Sequence, residues 1–223
     1  MNFLSAVYKV LIEGDSYLTI LKGLWITVVI SFLGLLFGTI LGALICRLRM
    51  SKIKVLSIIA RIYIVVLRGS PVLLLLMLLY YGVFAKTSFS GEVVAVIAFS
   101  LNVSASVAEL LRAAIESTDH GQVEAALTLG FTPMKAFCLI TLPQMIKNAK
   151  PVYQSTVVNL IQWTSVVGYV AITDLTRVIN NTAARTMQPL LTIAIGLLIY
   201  LGLAYIVNGI FALTDKKKGR KKA

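Results

Sequence analysis

The chain has 223 residues, of which 58% are hydrophobic and 13% charged, with a mean hydropathy of +0.89 and a formal net charge of +12. That charged share is about half the usual value for a soluble domain, and several apolar runs reach the roughly 20 residues that a helix needs to cross a hydrocarbon layer about 30 Å thick. Composition excludes a soluble protein and points to an all-α, multi-pass integral membrane protein. Anionic lipid head groups account for the basic excess without nucleic acid.

Residues 1–16 carry Lys9, Glu13 and Asp15 and lack the apolar core and small-residue cleavage site of a secretory signal. Phe3, Leu4, Val7, Val10 and Leu11 recur at helical spacing, which predicts a short amphipathic helix at the membrane interface. Residues 23–46 form the first predicted span, free of charge, with Gly34, Gly38 and Gly42 at four-residue intervals on one face. Such a face serves close packing within the subunit or contact with a second one.

The second span is interrupted. Apolar residues 55–67 give way to Arg68, Gly69, Ser70 and Pro71 before the run resumes over 72–85. Pro71 lacks a backbone donor and Gly69 loosens the chain, so the helix is predicted to break near mid-membrane. Irregular backbone persists there only if it is buried in protein or lines a wet cavity. Three further spans are predicted over 93–111, 151–173 and 186–214, followed by a basic tail at 215–223.

Four Lys or Arg fall in 47–54, four in 112–150 and six in the tail, against five on the opposite side. The N-terminus is therefore predicted outside and the C-terminus inside. Cys46 and Cys138 then share the cytosolic side, lack metal-ligand spacing and read as buried structural thiols.

The segment 113–149, between the third and fourth spans, is charged, broken by glycine and ended by proline. Residues 121–129 suit a short helix with Glu124 near its N-terminal end, and Gly130 can end it in the left-handed conformation. A second helical piece is predicted from Thr132 and Pro133 to Leu142, where Pro143 stops it. Ala125, Ala126, Leu129, Phe137 and Ile140 give this pair an apolar face that needs a groove on a partner protein.

Glu124-Ala125-Ala126, three residues, Gly130, nine residues, then Ile140-Thr141-Leu142-Pro143 resembles the EAA loop of permease subunits of bacterial ABC importers. "LRGSPVLLLLMLLYYG" (67–82), "AELLRAAIESTDHGQVEAA" and "VVNLIQWTSVVGYVAITDLTR" are similar to the histidine/glutamine/arginine type of polar amino-acid permease, and the likeness spans roughly 18–213. The resemblance implies one permease domain over residues 1–223, with a five-helix core at 18–214, in the bacterial cytoplasmic membrane. It implies a second permease subunit, identical or a sister, two cytoplasmic ATPase subunits gripping the EAA loops, and an extracytoplasmic amino-acid-binding protein. In that scheme Glu124, Ala125, Ala126, Gly130 and Pro143 couple transport to ATP hydrolysis. The chain has no G-x4-G-K-[ST] pattern, so ATP and Mg belong to the partner subunits and no cofactor to this one.

An amino acid is a zwitterion and needs donors for its carboxylate and acceptors for its ammonium. Backbone N–H groups at Gly69 and Ser70 and the Ser70 hydroxyl suit the carboxylate. Asn102, Ser106 and Glu109 share one helix face, and Gln162, Trp163 and Ser165 belong to the fourth span's "K-D-T-S-L"-like stretch in the resemblance. Other uses stay open. Arg68 can neutralise a buried carboxylate or carbonyls, Glu109 can pair with Arg112, and Asn102 and Ser106 can join helices.

The family usually carries an aspartate at Trp163 and a tyrosine at Ser106. Losing the aspartate removes a partner for a cationic side chain, so neutral polar amino acids are the expected substrates unless Glu109 supplies the charge or a sister subunit holds the ligand. An intramembrane enzyme would need a nucleophile with a base, paired carboxylates or metal ligands, and the lone His120 sits in the cytosolic segment. A passive channel would leave the EAA loop without a use.

Overall fold

The computed structural model describes residues 3–219, and every regular element among them is helical. Helices α1 (Phe3–Leu11), α2 (Ser16–Arg49), α3 (Lys54–Gly69), α4 (Val72–Met77) and α5 (Gly91–Glu116) are followed by α6 (His120–Thr128) and α7 (Pro133–Ala136). The chain closes with α8 (Leu142–Trp163), α9 (Leu175–Thr186) and α10 (Pro189–Gly219). Three helical stretches, Glu13–Arg49, Gly91–Glu116 and Pro189–Thr214, are long and apolar enough to cross a membrane. The bent pairs at Lys54–Val83 and Pro133–Thr186 raise the number to five if each is one span. The chain divides into two compact units, one of residues 1–36, 71–100 and 157–223, the other of 37–70 and 101–156.

In the first unit, α1 stops at Leu11 rather than continuing to residue 16, because Gly14 (φ 66°) and Asp15 (φ 54°) turn left-handed. Arg185 holds this turn, donating to Glu13 O (3.0 Å) and to the Ser16 hydroxyl. Residues 1–2 lie outside the described residues. Helix α9 falls in a segment that reads as an outer loop, since Thr176, Arg177, Asn180, Asn181 and Arg185 crowd its exposed side. Its apolar face is real: Leu175, Val178 and Ile179 form a buried cluster with Ile20, against Leu24, Ile199 and Tyr200.

Polar contacts lock that cluster. Asp174 caps α9 by accepting from Thr176 N (3.1 Å) and Arg177 N (3.0 Å), while Thr27 Oγ1 accepts from Leu175 N (3.2 Å). Tyr200 and Thr176 hydroxyls lie 2.8 Å apart. The fourth predicted span (151–173) is therefore placed differently. Helix α8 begins at Leu142, passes through Pro151 and yields at Trp163 to a tighter 3₁₀ turn, Thr164–Val170.

In the second unit, Cys46, Ile64 and Ala108 make a small core flanked by Tyr63, Leu111 and Ile115. Tyr63 and Ser104 hydroxyls approach to 2.6 Å, and Thr39 and Tyr153 to 2.8 Å. The glycine face of α2 packs within the subunit. A Cβ on Gly42 would lie 2.7 Å from Val107 Cβ and 2.8 Å from Ser104 O. In the first unit, one on Gly34 would lie 3.1 Å from Phe99 Cβ.

Pro143 does not stop a helix. Before it, Phe137–Thr141 is π-helical and Leu142 N–H reaches back to Phe137 O. This wider turn relieves the clash between a proline ring and the carbonyl one turn back, so α8 starts through Pro143. Cys46 is buried as expected, but Cys138 is exposed, because its side of that turn faces away from the core.

The glycine contacts make a direct prediction. Gly42→Val is expected to destabilise the protein by about 1–3 kcal/mol through overpacking, whereas Gly69→Ala meets nothing within 4 Å and is expected to be far milder. Thermal unfolding of the two variants in one detergent separates them.

Candidate functional site

The broken helix ends with its polar groups already engaged. Ser70 N–H and Ser70 Oγ both donate to Val66 O, at 3.0 and 2.7 Å. Asn102, 5% exposed on α5, donates from Nδ2 to Leu67 O at 3.1 Å. The chain is extended at Ser70 (ψ 132°) and Pro71 (ψ 128°) before α4 begins. The donors expected to hold a carboxylate at this break thus close the end of α3, and Asn102 seals the same turn. Gly69 is exposed with no close neighbour.

Along the same face of α5, Ser106 is half-buried and Glu109 is held in a fork. Arg112 donates from Nη2 to Glu109 Oε1 (2.5 Å) and from Nε to Glu109 Oε2 (3.1 Å), while its Nη1 donates to Glu116. A bidentate guanidinium–carboxylate pair is strong and directional. Of the uses open to Glu109, the ion pair with Arg112 is the one seen. Arg68 is exposed.

The third group sits where α8 ends, in the first unit. Gln162 is exposed, Trp163 is the half-buried last residue of α8, and Ser165 lies in the 3₁₀ turn that follows. Ser165 lines a pocket of about 460 Å³ shared with Gly168, Tyr169, Thr176, Arg177 and Asn180. Of this lining only Ser165 was a sequence candidate; Thr176, Arg177 and Asn180 come from α9. Asp174 followed by Leu175, Val178, Ile179 and Thr182 carries a cap and a helical apolar period, the signal that would have placed them on one helix.

The segment between α5 and α8 forms a sharp helical corner. Asp119 caps α6 by accepting from Gly121 N (2.9 Å). At the other end Phe131 N–H bonds to Ala126 O and Gly130 N–H to Leu127 O, both 3.0 Å, with Gly130 at φ 85°. This is a Schellman ending, which places a glycine in the left-handed region. Thr132 then caps α7 by accepting from Lys135 N (3.3 Å), and Gln144 reaches back to Gln122 (3.0 Å).

Ala126 and Ala136 are buried inside the corner. Glu124, Ala125 and Pro143 are exposed, and Ile140 is half-buried. The outer side is apolar: Leu129 is 79% and Met134 70% exposed, with Phe131 and Phe137 beside them in sequence and also exposed. The corner is tight, well capped and apolar on its exposed side.

Comparison with known proteins fits this description. The family described as binding-protein-dependent transport system inner membrane component matches residues 34–220. The probable amino-acid ABC transporter permease protein YckA of Bacillus subtilis is 33% identical over 210 residues, covering 94% of this chain and 92% of that protein. The arginine transport system permease protein ArtQ of the same organism is 34% identical, covering 89% and 91%. Among solved structures, one described as an amino acid ABC transporter with histidines superposes with a TM-score of 0.86 at 30% identity, covering 97% of this chain and 99% of that one.

Proposed function

The chain belongs to the family of binding-protein-dependent transport system inner membrane components, and on that premise we propose how its residues serve transport. It is a membrane-spanning permease subunit of an ABC importer for amino acids in the cytoplasmic membrane, and separate subunits hydrolyse ATP. Two such ATPase subunits, which bind ATP and Mg, each grip one α6–α7 corner. A second permease subunit, identical or a sister, completes the pathway, and an extracytoplasmic binding protein delivers the substrate. The observation that carries this reading is the corner itself, which leaves Leu129 and Met134 largely exposed around a left-handed Gly130.

The basic segments set the orientation, with the N-terminus outside and the corner and C-terminus inside. The substrate is a neutral polar amino acid. Trp163 presents an indole where related chains usually offer a carboxylate, and an arginine or lysine side chain there would lack a counter-ion in a low-dielectric site. ArtQ is named for arginine and YckA for amino acids in general, so this preference rests on Trp163.

Three outcomes are expected. At Gly130 a valine would be strained by about 1–2 kcal/mol in the left-handed region, and nothing lies within 4 Å of an added Cβ, so the effect is conformational. Gly130→Val will then weaken co-purification of the ATPase subunit or uncouple hydrolysis from uptake, and Gly130→Asn much less. Normal retention and uptake in Gly130→Val would remove the corner from coupling. With Cys46 and Cys138 replaced, a cysteine at Ser88 will react with impermeant reagent in intact cells and one at Thr128 will not; the reverse pattern overturns the orientation. In proteoliposomes with the full assembly, labelled glutamine will outcompete arginine, and Trp163→Asp will shift the ratio toward arginine. An arginine preference in the unmodified assembly, unmoved by Trp163→Asp, would mean that this residue does not set selectivity.

A further inference from the structure

The pocket beyond the end of α8 holds a cation without a counter-charge. Arg177 lies one position beyond Thr176 in the first turn of α9, and its guanidinium makes one hydrogen bond, from Nη1 to Gly168 O at 3.2 Å. Five N–H donors in a fixed fork leave most of its capacity unused. The nearest carboxylate in sequence, Asp174, is fully buried, and its oxygens accept from the backbone N–H groups of Thr176 and Arg177. Among the described residues the only ion pairs are those of Arg112 with Glu109 and Glu116, so no carboxylate neutralises Arg177.

The remaining lining has complementary chemistry. Asn180, one turn after Arg177 and exposed, offers an amide oxygen as well as donors, and the Ser165 hydroxyl offers an acceptor. The Thr176 hydroxyl is shared with Tyr200, which fixes that wall. Tyr169 is fixed in its turn, since its carbonyl accepts from Tyr81 OH at 3.1 Å, and the residue is 65% exposed. A volume of about 460 Å³ is within the range for small-molecule sites.

We propose that this pocket is the carboxylate subsite of the permease: Arg177 binds the α-carboxylate of the amino acid, and Asn180 with Ser165 accepts from its ammonium. The subsite rests on the amino-acid importer reading and moves carboxylate recognition away from the helix break, where the Ser70 N–H and hydroxyl are both bonded to Val66 O. A bidentate guanidinium–carboxylate contact reads a group common to all amino acids, so the pocket orients substrate without choosing its side chain. On the proposed topology it opens on the extracytoplasmic side, where the binding protein releases its load.

The test is equilibrium binding of labelled L-glutamine to the purified permease–ATPase complex without the binding protein. A parallel measurement is the concentration of loaded binding protein that half-maximally stimulates ATP hydrolysis. Arg177→Gln and Asn180→Ala are each expected to weaken glutamine binding, the former by about tenfold or more, the loss expected for a charge-assisted hydrogen bond. Arg177→Lys will retain part of it, the amine lacking the α-carboxylate will not compete, and the binding-protein concentration will not shift.

Unchanged glutamine binding in either Arg177→Gln or Asn180→Ala, or no measurable binding to the unmodified complex, overturns the subsite. So does a shift in the binding-protein concentration alone, which would assign Arg177 to a protein carboxylate. Because Asn180 is exposed, Asn180→Ala keeps the test decisive if Arg177→Gln fails to assemble. ATP-driven uptake by the unmodified assembly reports separately on the importer reading.

Discussion

Every interruption of a membrane helix leaves N–H and C=O groups that hydrocarbon cannot satisfy, and how this chain satisfies them governs the rest of its structure. At the first break, Ser70 folds its backbone and hydroxyl donors onto Val66 O, and Asn102 donates to Leu67 O from the neighbouring helix. At the second, Asp174 and Thr27 accept from the first N–H groups of α9. Both solutions borrow side chains, and both leave the break ordered. Irregular backbone is present because polar residues are close enough to stabilise it.

Charge follows a related logic. Arg112 is neutralised by Glu109 and Glu116 on its own helix, a local arrangement set by three- and four-residue spacing. Arg185 bonds to Glu13 O and Ser16, and so holds the turn that leads into α2. Arg177 stands apart, with a carbonyl for a partner and a pocket beside it. Arg112 is neutralised by carboxylates on its own helix, whereas Arg177 lines a cavity with no ion pair among the described residues.

The α6–α7 corner poses the opposite problem. Its helix ends are satisfied by local caps, and what needs explanation is exposed apolar surface. The Schellman ending at Gly130 and the Thr132 cap turn the chain within a few residues, which presents Leu129 and Met134 outward while Ala126 and Ala136 close the inside. Small residues within the corner let α6 and α7 approach. Large ones stay exposed outside it.

Much of this was legible without coordinates. Hydropathy located the apolar runs, Pro71 located the first break, and the spacing from Glu124 to Pro143 identified the corner and the family, because these signals are local. Gly130 was readable for the same reason, since a left-handed helix ending is a property of a few consecutive residues. Tertiary structure alone decided the rest. Pro143 sits inside a helix because a π-helical turn precedes it, Cys138 faces outward, and Glu109 is spent on Arg112. Helix α9 escaped notice because the polar residues on one face outweigh an apolar stripe whose partners, Ile20 and Ile199, lie far away in sequence. Local spacing reports what a segment can do; which of its polar groups remain available depends on neighbours that only the folded chain brings near.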